Sequence, residues 1–304
     1  MNRQETQREL GAIHQELQKS YADGFGVNLA GADSLPRREE VVTVTAKLLE
    51  LIFPGFDRAG AYPGAAVLLG DTMRELSDQI SRAMRRISGS KCDSCNADCG
   101  QKCDDLALKL MQELPQIREI MKKDVVAAYN GDPAAKNFDE IILSYPGVKA
   151  IAIQRLAHVL YRLDVPLIPR MMTEYAHSAT GIDIHPGATL GVGVFIDHGT
   201  GVVIGETAVV GDNVRIYQGV TLGAGNFPKN ACGMLIKGLK RHPTVGSNVT
   251  IYSGASVLGD ITIGDNSVIG GNVWLTESLP AGTKITALPP EHRKKSLNRE
   301  NNVK

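Results

Sequence analysis

The sequence predicts an α+β protein in which an N-terminal α-helical domain is followed by a left-handed parallel β-helix. In residues 1–168, apolar side chains recur at three- and four-residue spacing, which is the period of an amphipathic helix. After residue 180, valine, isoleucine, threonine and glycine take over, and aliphatic residues recur every six positions. That period fits neither an α-helix nor a flat strand. It is typical of a left-handed β-helix, in which each hexapeptide supplies one short strand and one corner.

Four segments carry the helical pattern most clearly, and turn-forming residues separate them. Asp71 is a predicted N-cap, because its side chain can accept hydrogen bonds from the free backbone N–H groups of a first helical turn. Pro146 suits the first position of a helix, where a missing N–H costs nothing. The stretch 53–66 carries the glycine and proline expected of a linker. The predicted helices are 38–53, 71–88, 104–129 and 146–163.

Three runs of aliphatic residues keep the six-residue period in the second half of the chain. The aliphatic side chain is expected to point into the coil, and a glycine that follows it lets the chain turn tightly. We therefore assign the helical domain to 1–168, the β-helix to 169–285 and a polar C-terminal tail to 286–304. The members of the three runs are Ile184, Leu190 and Ile196; Ile204, Val210, Ile216 and Leu222; and Val245, Ile251, Val257, Ile263, Ile269 and Leu275.

Two interruptions of the repeat mark the candidate functional loops. Between Ile196 and Ile204 the step is eight residues, and the slip contains Asp197 and His198. Ionisable groups are costly to bury without partners, so their presence in an apolar stretch calls for a function. The second interruption is a predicted excursion from the coil at 223–243. Loops held on a rigid repeat are where binding and catalytic residues are usually found.

Composition excludes several classes of partner. The chain has 33 Lys and Arg against 33 Asp and Glu, so no net charge favours nucleic acid or an acidic membrane. No stretch of about 18 apolar residues occurs, and the N-terminus is too polar for a signal peptide. We expect a cytoplasmic protein that binds neither nucleic acid nor membrane.

A cysteine-rich segment at 92–103 supports more than one interpretation. Four thiolates within this span could bind zinc or an iron–sulfur cluster, although the spacing differs from the usual bacterial cluster motif. The same spacing also places the four side chains on one helical face, as in a buried stripe of thiols. Disulfide or redox chemistry is the third interpretation, and the sequence leaves the choice open. The four residues are Cys92, Cys95, Cys99 and Cys103.

Several motifs occur along the repeat in a specific order. They are GDPA (131–134), DIHPGA (183–188), IDHGTGVVIGETA (196–208), YQGVTLG (217–223), KRHPTVG (240–246) and SGASVLGDITIG (253–264). Over this stretch, about half of the chain, the sequence resembles the serine O-acetyltransferases, the hexapeptide-repeat enzymes that open cysteine biosynthesis. The resemblance implies transfer of acetyl from acetyl-CoA to the hydroxyl of L-serine, with no metal required for catalysis.

The resemblance also implies roles for individual residues. His198 matches the family's general base and Asp183 the acid that orients it; a neutral imidazole suits proton removal from an alcohol near pH 7. The two residues are 15 positions apart, and a coil of three hexapeptides has about 18 residues. We therefore expect them near one corner on neighbouring coils, within hydrogen-bond reach. Glu206 is either a support for the His198 loop or part of a solvated turn.

The two charged groups of serine need partners of their own. Asp132 and Asp197 match the acids that meet the ammonium group, and Arg241 and His242 match the residues that meet the carboxylate. Arginine suits this task, because its planar fork binds carboxylates bidentately. The resemblance also implies contacts with acetyl-CoA from three residues, which are Ala224, Ser253 and Gly271.

Assembly follows from the same reasoning. Coils of this type commonly close as a three-fold ring, with the thioester site in the groove between subunits, and the helical domain is expected to pair trimers into a hexamer. The chain ends in RENNVK rather than in the terminal isoleucine that family members insert into cysteine synthase, so we do not expect that complex.

Three other functions stay open at this point. An acetyltransferase for homoserine or a sugar would keep His198 without needing Asp132, Arg241 and His242. A γ-class carbonic anhydrase uses the same coil with three metal-binding histidines. A non-catalytic assembly module would turn over no acceptor at all.

Overall fold

The computed structural model describes residues 2–22, 27, 29, 35–56, 64–88 and 98–288, which form seven helices and fourteen short strands. The helices are α1 (Arg3–Tyr21), α2 (Arg38–Ile52), α3 (Ala65–Ser88), α4 (Asp98–Gly131), α5 (Phe138–Ser144), α6 (Pro146–Arg162) and α7 (Ile168–Thr180). The strands are β1 (Asp183–Ile184), β2 (Thr189–Leu190), β3 (Phe195–Ile196), β4 (Val203–Ile204), β5 (Val209–Val210), β6 (Arg215–Ile216), β7 (Thr221–Gly223), β8 (Thr244–Val245), β9 (Thr250–Ile251), β10 (Ser256–Leu258), β11 (Thr262–Ile263), β12 (Val268–Ile269), β13 (Trp274–Leu275) and β14 (Lys284–Ile285).

The chain divides into two compact units, Met1–Leu35 and Pro36–Lys304. The first unit contains α1. Its N-terminus is closed by a capping box, in which the Asn2 side chain accepts hydrogen bonds from the backbone N–H groups of Gln4 and Glu5 while the Glu5 carboxylate accepts from the backbone N–H of Asn2. No residue of α1 is buried.

In the second unit, the predicted helices are found with shifted ends. Pro146 occupies the first turn of α6, as predicted. The prediction that Asp71 is an N-cap is wrong, because α3 begins at Ala65 and places Asp71 in its second turn, where its carboxylate pairs with Arg74. Apolar residues of α2, α3, α4 and α6 form one buried core that continues into the coil.

Fourteen strands wind into a coil with three parallel sheets, which confirms the predicted β-helix. The strand orders are β1-β4-β7-β10-β13, β2-β5-β8-β11 and β3-β6-β9-β12-β14, and we call these the first, second and third sheets. The six-residue aliphatic pattern supplies the interior of the coil. In the first sheet, five buried side chains stack in register: Ile184, Ile204, Leu222, Val257 and Leu275.

The two predicted interruptions change the length of individual coils. Regular coils advance by 18 residues, as in the pairing of Val203 with Thr221. The first coil advances by 20, since Asp183 pairs with Val203, and the two extra residues lie in the turn that contains His198. The third step along the first sheet is 35 residues, from Thr221 to Ser256, because the excursion leaves the coil after β7 and returns at β8.

The turns of each coil stack into three corners. The corner between the first and second sheets, which we call corner 1, contains residues 185–188, 205–208 and the excursion 224–243. Corner 2, between the second and third sheets, holds a column of asparagines with positive φ. Corner 3, between the third and first sheets, contains 197–202, 217–220, 252–255 and 270–273. The asparagines of corner 2 are Asn213, Asn248 and Asn266.

A buried ion pair fastens the helices to the first coil. Arg155 of α6 binds both carboxylate oxygens of Asp124 in α4, at 2.9 and 3.1 Å. The same guanidinium donates to the carbonyl oxygens of Leu190 and Gly191, and Asp124 accepts from the backbone N–H of Val194. These bonds use both carboxylate oxygens of Asp124 and all three guanidinium nitrogens of Arg155, so the first coil is held in one position against α4 and α6.

Several predictions fall partly outside the described residues. Cys92, Cys95 and the side chain of Cys99 lie outside them, whereas Cys103 is buried in α4 with 1% exposure. The polar tail is described only to residue 288. The predicted domain boundary between residues 168 and 169 stays a prediction; α7 begins at Ile168, so all of this helix except its first residue lies on the C-terminal side. In the part of the chain that the structure describes, no helix has the length and apolar character needed to cross a membrane.

Candidate active site

His198 projects from the enlarged turn of corner 3. Its φ of +58° lies in the left-handed region, and Gly199 and Gly201 in the same turn also have positive φ. The side chain of His198 is 71% exposed, while that of the adjacent Asp197 is 13% exposed. His198 Nε2 lies 3.8 Å from Asp197 Oδ2, so the imidazole stands at the surface beside a carboxylate.

A second carboxylate approaches this turn from the helical side. Asp132, just after α4, accepts a hydrogen bond from the Tyr145 hydroxyl at 2.5 Å and one from the backbone N–H of Ala134 at 2.8 Å. The Tyr145 bond chiefly lowers the pKa of Asp132, and the charge of His198 contributes. The same bond raises the pKa of Tyr145 to about 12, with a contribution from Asp197. Corner 3 therefore gathers Asp132, Asp197 and His198, and adds Tyr145, which the sequence analysis missed.

Asp183 is not joined to His198, contrary to the expected hydrogen bond. Its Oδ1 atom lies 3.5 Å from Nη1 of Arg170 on α7, and its carboxylate is close to Glu174 and His177. The expectation assumed a coil of regular length. In the 20-residue first coil, His198 stands five positions before Val203, the residue that pairs with Asp183. The orienting role of Asp183 stays a prediction.

Corner 1 holds the other predicted substrate residues. Arg241, at the end of the excursion, donates through Nη2 to Glu206 Oε2 at 2.5 Å. Glu206 also accepts from the hydroxyl of Tyr161 on α6 at 2.9 Å. Burial opposes ionisation of Glu206, but these two bonds and the Arg241 charge leave its pKa below the ordinary value. Glu206 therefore supports Arg241 and not the His198 loop, which corrects the first of the two roles expected for it.

His242 lies against the coil beside Arg241. It is 7% exposed, and its Nδ1 atom lies 3.1 Å from the backbone nitrogen of Thr207. Burial, together with the charge of Arg241, lowers the pKa of His242 to about 4. Its ring packs on Gly205, where an added Cβ would lie 2.1 Å from Cδ2 and 2.2 Å from Nε2. Only glycine at position 205 leaves room for the imidazole.

The structure thus divides the predicted site residues between two corners of the coil. Asp132, Asp197 and His198 meet at corner 3, whereas Arg241 and His242 belong to corner 1. A face of about five extended residues at about 3.3 Å each separates neighbouring corners by roughly 16 Å. One serine molecule cannot reach both groups within a single chain.

The residues expected to contact acetyl-CoA are also divided. Ser253 and Gly271 occupy corner 3 on successive coils, and a Cβ at Gly271 would lie 3.2 Å from the Ser253 carbonyl oxygen. Tyr217 and Tyr252 stack at the same corner, with centroids 5.2 Å apart. Ala224 instead begins the excursion at corner 1.

The excursion forms a cleft with the neighbouring turns of corner 1. Its two sides meet in an antiparallel bridge between Lys229 and Leu235. The cleft has a volume of about 500 Å³, and Phe227, Leu239, Arg241 and Glu206 contribute to its lining. Apolar walls with a few charged groups are typical of a small-molecule site.

The histidines of corner 1 are poor candidates for metal ligands. His185 and His242 each accept a backbone N–H at Nδ1, so in the neutral ring the proton is on Nε2 and neither nitrogen is free to bind a metal. This geometry does not favour the carbonic anhydrase alternative.

Comparison with known proteins identifies the family. The family model described as bacterial transferase hexapeptide (six repeats) matches residues 242–277. A protein of Synechococcus elongatus named "Serine acetyltransferase, plasmid" is 46% identical over 260 residues, covering 83% of this chain and 82% of that protein. The serine acetyltransferase of Mycobacterium tuberculosis is 49% identical over 169 residues, covering 56% of this chain and 70% of that protein.

Solved structures agree in fold and in family. Serine acetyltransferase isoform 3 of Entamoeba histolytica, crystallised in complex with cysteine, superposes with a TM-score of 0.68 at 37% identity, covering 83% of this chain and 84% of that one. The serine complex of the Neisseria gonorrhoeae enzyme gives a TM-score of 0.54 at 28% identity, with 84% and 95% of the chains covered. Since the Synechococcus relative matches over four fifths of both sequences, the chain belongs to the serine acetyltransferase family.

Proposed function

We propose that this acyltransferase moves the acetyl group of acetyl-CoA to the hydroxyl of L-serine, giving O-acetylserine and CoA, with His198 as the general base. The observation that carries the proposal is the arrangement at corner 3, where an exposed imidazole stands beside Asp197 and near Asp132. An amino acid that places its ammonium group between these carboxylates brings its hydroxyl within reach of the ring. Family membership makes cysteine biosynthesis the pathway.

The chemistry needs one base and no covalent enzyme intermediate. His198 takes the serine hydroxyl proton as the oxygen attacks the thioester carbonyl carbon. The C–S bond of the tetrahedral intermediate then breaks, and the CoA sulfur leaves with its electron pair and receives the proton from the imidazolium. Asp183 is proposed to stabilise that imidazolium and fix its tautomer, which requires the exposed His198 side chain to turn towards it when substrate is bound.

Recognition of the serine carboxylate is assigned to Arg241 and His242. Because these two residues lie a full face away from His198 in one chain, the proposal requires corner 1 of one subunit to meet corner 3 of another. A three-fold ring of coils creates such a junction between each pair of neighbours. Acetyl-CoA is proposed to bind along this junction, with contacts to Ala224, Ser253 and Gly271.

The proposed assembly is a hexamer made of two trimers, with the helical domain joining them. Light scattering on the full chain should give the hexamer, and removal of residues 1–125 should give a trimer. An active monomer at low concentration would contradict both the assembly and the shared site. Three expectations stay predictions: the cytoplasmic location, the absence of nucleic-acid and membrane partners, and the lack of a complex with cysteine synthase.

The decisive experiment compares acceptors. Release of CoA from acetyl-CoA is measured with L-serine, homoserine and a panel of sugars, and CO₂ hydration is measured in parallel. We expect kcat/KM for serine to exceed that for the other acceptors by at least tenfold. Preference for homoserine or a sugar, or hydration of CO₂ without acetyl transfer, would reject the proposal. If none of the acceptors is acetylated, the result would favour the non-catalytic assembly module.

A further inference from the structure

The Thr207 hydroxyl connects the coil to both residues that are proposed to bind the serine carboxylate. Its Oγ1 atom accepts hydrogen bonds from the backbone N–H groups of Arg241 at 3.0 Å and His242 at 3.2 Å. The same oxygen lies 2.9 Å from Nδ1 of the His242 ring. A hydroxyl has two lone pairs and one hydrogen, and the two N–H groups use the lone pairs. The hydroxyl hydrogen is therefore directed at Nδ1.

This arrangement defines the protonation of His242. The backbone N–H of Thr207 also points at Nδ1, at 3.1 Å, and an N–H can only donate. Nδ1 must be an acceptor, so the single proton of the neutral ring is on Nε2. Burial and the Arg241 charge lower the pKa of His242, which keeps the ring neutral at physiological pH. The charged and titratable groups that face His242 are Arg241, Glu206, Lys240 and His185.

The other ring nitrogen of His242, Nε2, differs from Nδ1 in its surroundings. Among the described residues, Nε2 has no hydrogen-bond partner. Every fully buried side-chain nitrogen in that part of the chain does have a partner, so Nε2 keeps some contact with solvent. Lys240 further fixes the peptide by donating to the carbonyl oxygens of Thr207 and His242, each at 2.6 Å. The loop end is thus held on both sides, while the Nε2–H of His242 keeps no partner among the described residues.

We propose that Thr207 is a positioning residue that holds His242 as the neutral Nε2–H tautomer and presents its Nε2–H together with the Arg241 guanidinium to the serine carboxylate. The proposal rests on the proposed function for the identity of the ligand. Its physical basis is that a preformed pair of donors loses little freedom on binding, which favours affinity. A neutral donor also adds no charge that would have to be desolvated beside Arg241.

The test uses two substitutions in the full chain. Thr207→Val keeps the shape and the backbone N–H but removes the hydroxyl, whereas Thr207→Ser keeps the hydroxyl and serves as the matched control. The KM for serine and for acetyl-CoA and the kcat are measured from about pH 5.5 to 8.5, the range in which an ordinary histidine titrates. The tautomer is read separately, without substrate, from ring ¹⁵N and ¹³C shifts of histidine-labelled wild-type protein in the solid state, with His242→Asn identifying the signals.

We expect the wild-type ring to carry its proton on Nε2 at every pH tested. Thr207→Val should raise the KM for serine about tenfold, because several hydrogen bonds are lost together, with kcat and the KM for acetyl-CoA changing less than about threefold. It should also make the serine KM depend on pH within this range more strongly than in the wild type, since a loosened His242 recovers a more ordinary pKa and titrates there. Thr207→Ser should restore both properties to within about threefold of wild type.

Two results would overturn the proposal: a proton on Nδ1 in the wild-type ring, or a normal serine KM with a normal pH profile in folded Thr207→Val. If Thr207→Val fails to fold by circular dichroism, the wild-type spectrum and the Thr207→Ser kinetics still decide. If the wild-type protein does not acetylate serine, the proposed function fails, whereas the tautomer measurement still tests the arrangement around His242.

Discussion

Replacing Gly205 by alanine would test how closely the site depends on the position of His242. An alanine Cβ at this position would lie 2.1 Å from Cδ2 of His242 and 2.2 Å from Nε2. Carbon atoms in ordinary contact are about 3.6 Å apart, so the ring must retreat by about 1.5 Å. Gly205 is not among the residues with positive φ, so alanine adopts its backbone conformation without strain. The substitution therefore acts through the collision with the ring.

The retreat cannot be absorbed locally. The ring is held at Nδ1 by Thr207, and the backbone N–H groups of Arg241 and His242 donate to the same residue. The two side chains that are proposed to donate to the serine carboxylate therefore move together. A displacement of about 1 Å in a catalytic site can cost about a hundredfold in rate. We expect Gly205→Ala to lower kcat/KM for serine by about two orders of magnitude. Crowding should also destabilise the fold by about 1–3 kcal/mol.

The assay is steady-state release of CoA at saturating acetyl-CoA with serine varied, alongside thermal unfolding. Gly70→Ala is the matched control, because a Cβ on this exposed glycine of α3 meets nothing within 4 Å, and it should leave activity unchanged. If Gly205→Ala folds and keeps kcat/KM for serine within about threefold of wild type, His242 does not need the observed position. The assignment of the carboxylate site to corner 1 would then be rejected.

Three further predictions address the other parts of the site and its support. His198→Ala should lower kcat by about two to four orders of magnitude, as loss of a general base does, and Asp183→Asn should cost less; normal turnover in folded His198→Ala would remove it from the mechanism. Tyr145→Phe should raise the pKa of Asp132 and hence the KM for serine, increasingly as the pH falls; a pH-independent effect in the serine kinetics would contradict this role. Arg155→Met leaves a buried carboxylate without its partner and should lower the free energy of unfolding by about 3–5 kcal/mol, measured by urea denaturation.

The regular part of the fold could be predicted because one physical requirement repeats. Every sixth residue must fill the coil interior, so the phase of the aliphatic runs fixes which residues share a sheet. Ile204 therefore stacks on Leu222, and Val257 on Leu275, as the period predicts. The ends of the helices were harder to predict from the sequence. Asp71 has the chemistry of a cap, but α3 begins at Ala65, since burial of Leu68 and Thr72 on one face rewards an earlier start.

The chemistry of the site was legible from the motifs, but its contacts depended on coil lengths. The slip at His198 was visible in the sequence, yet its effect on Asp183 requires the length of the whole first coil, which is 20 residues. The two extra residues place His198 five positions before Val203, the strand partner of Asp183, and Arg170 lies beside the Asp183 carboxylate instead. Arg170 itself lies on α7, a helix that the periodicity did not single out.

The partners of Arg241 and His242 illustrate the opposite case, in which the signal was present but unused. Leu222 and Val257 are stacked residues separated by 35 positions, which is a regular coil of 18 residues lengthened by 17 through the excursion. The same offset carries Glu206 to Arg241 and Thr207 to His242, which are the pairs that the structure joins. The partner of a residue on the next coil is therefore set by the number of residues in the coil between them, and not by the average period of six. Applied to corner 1, this rule assigns a glutamate to the arginine and a hydroxyl to the histidine before any coordinates are known.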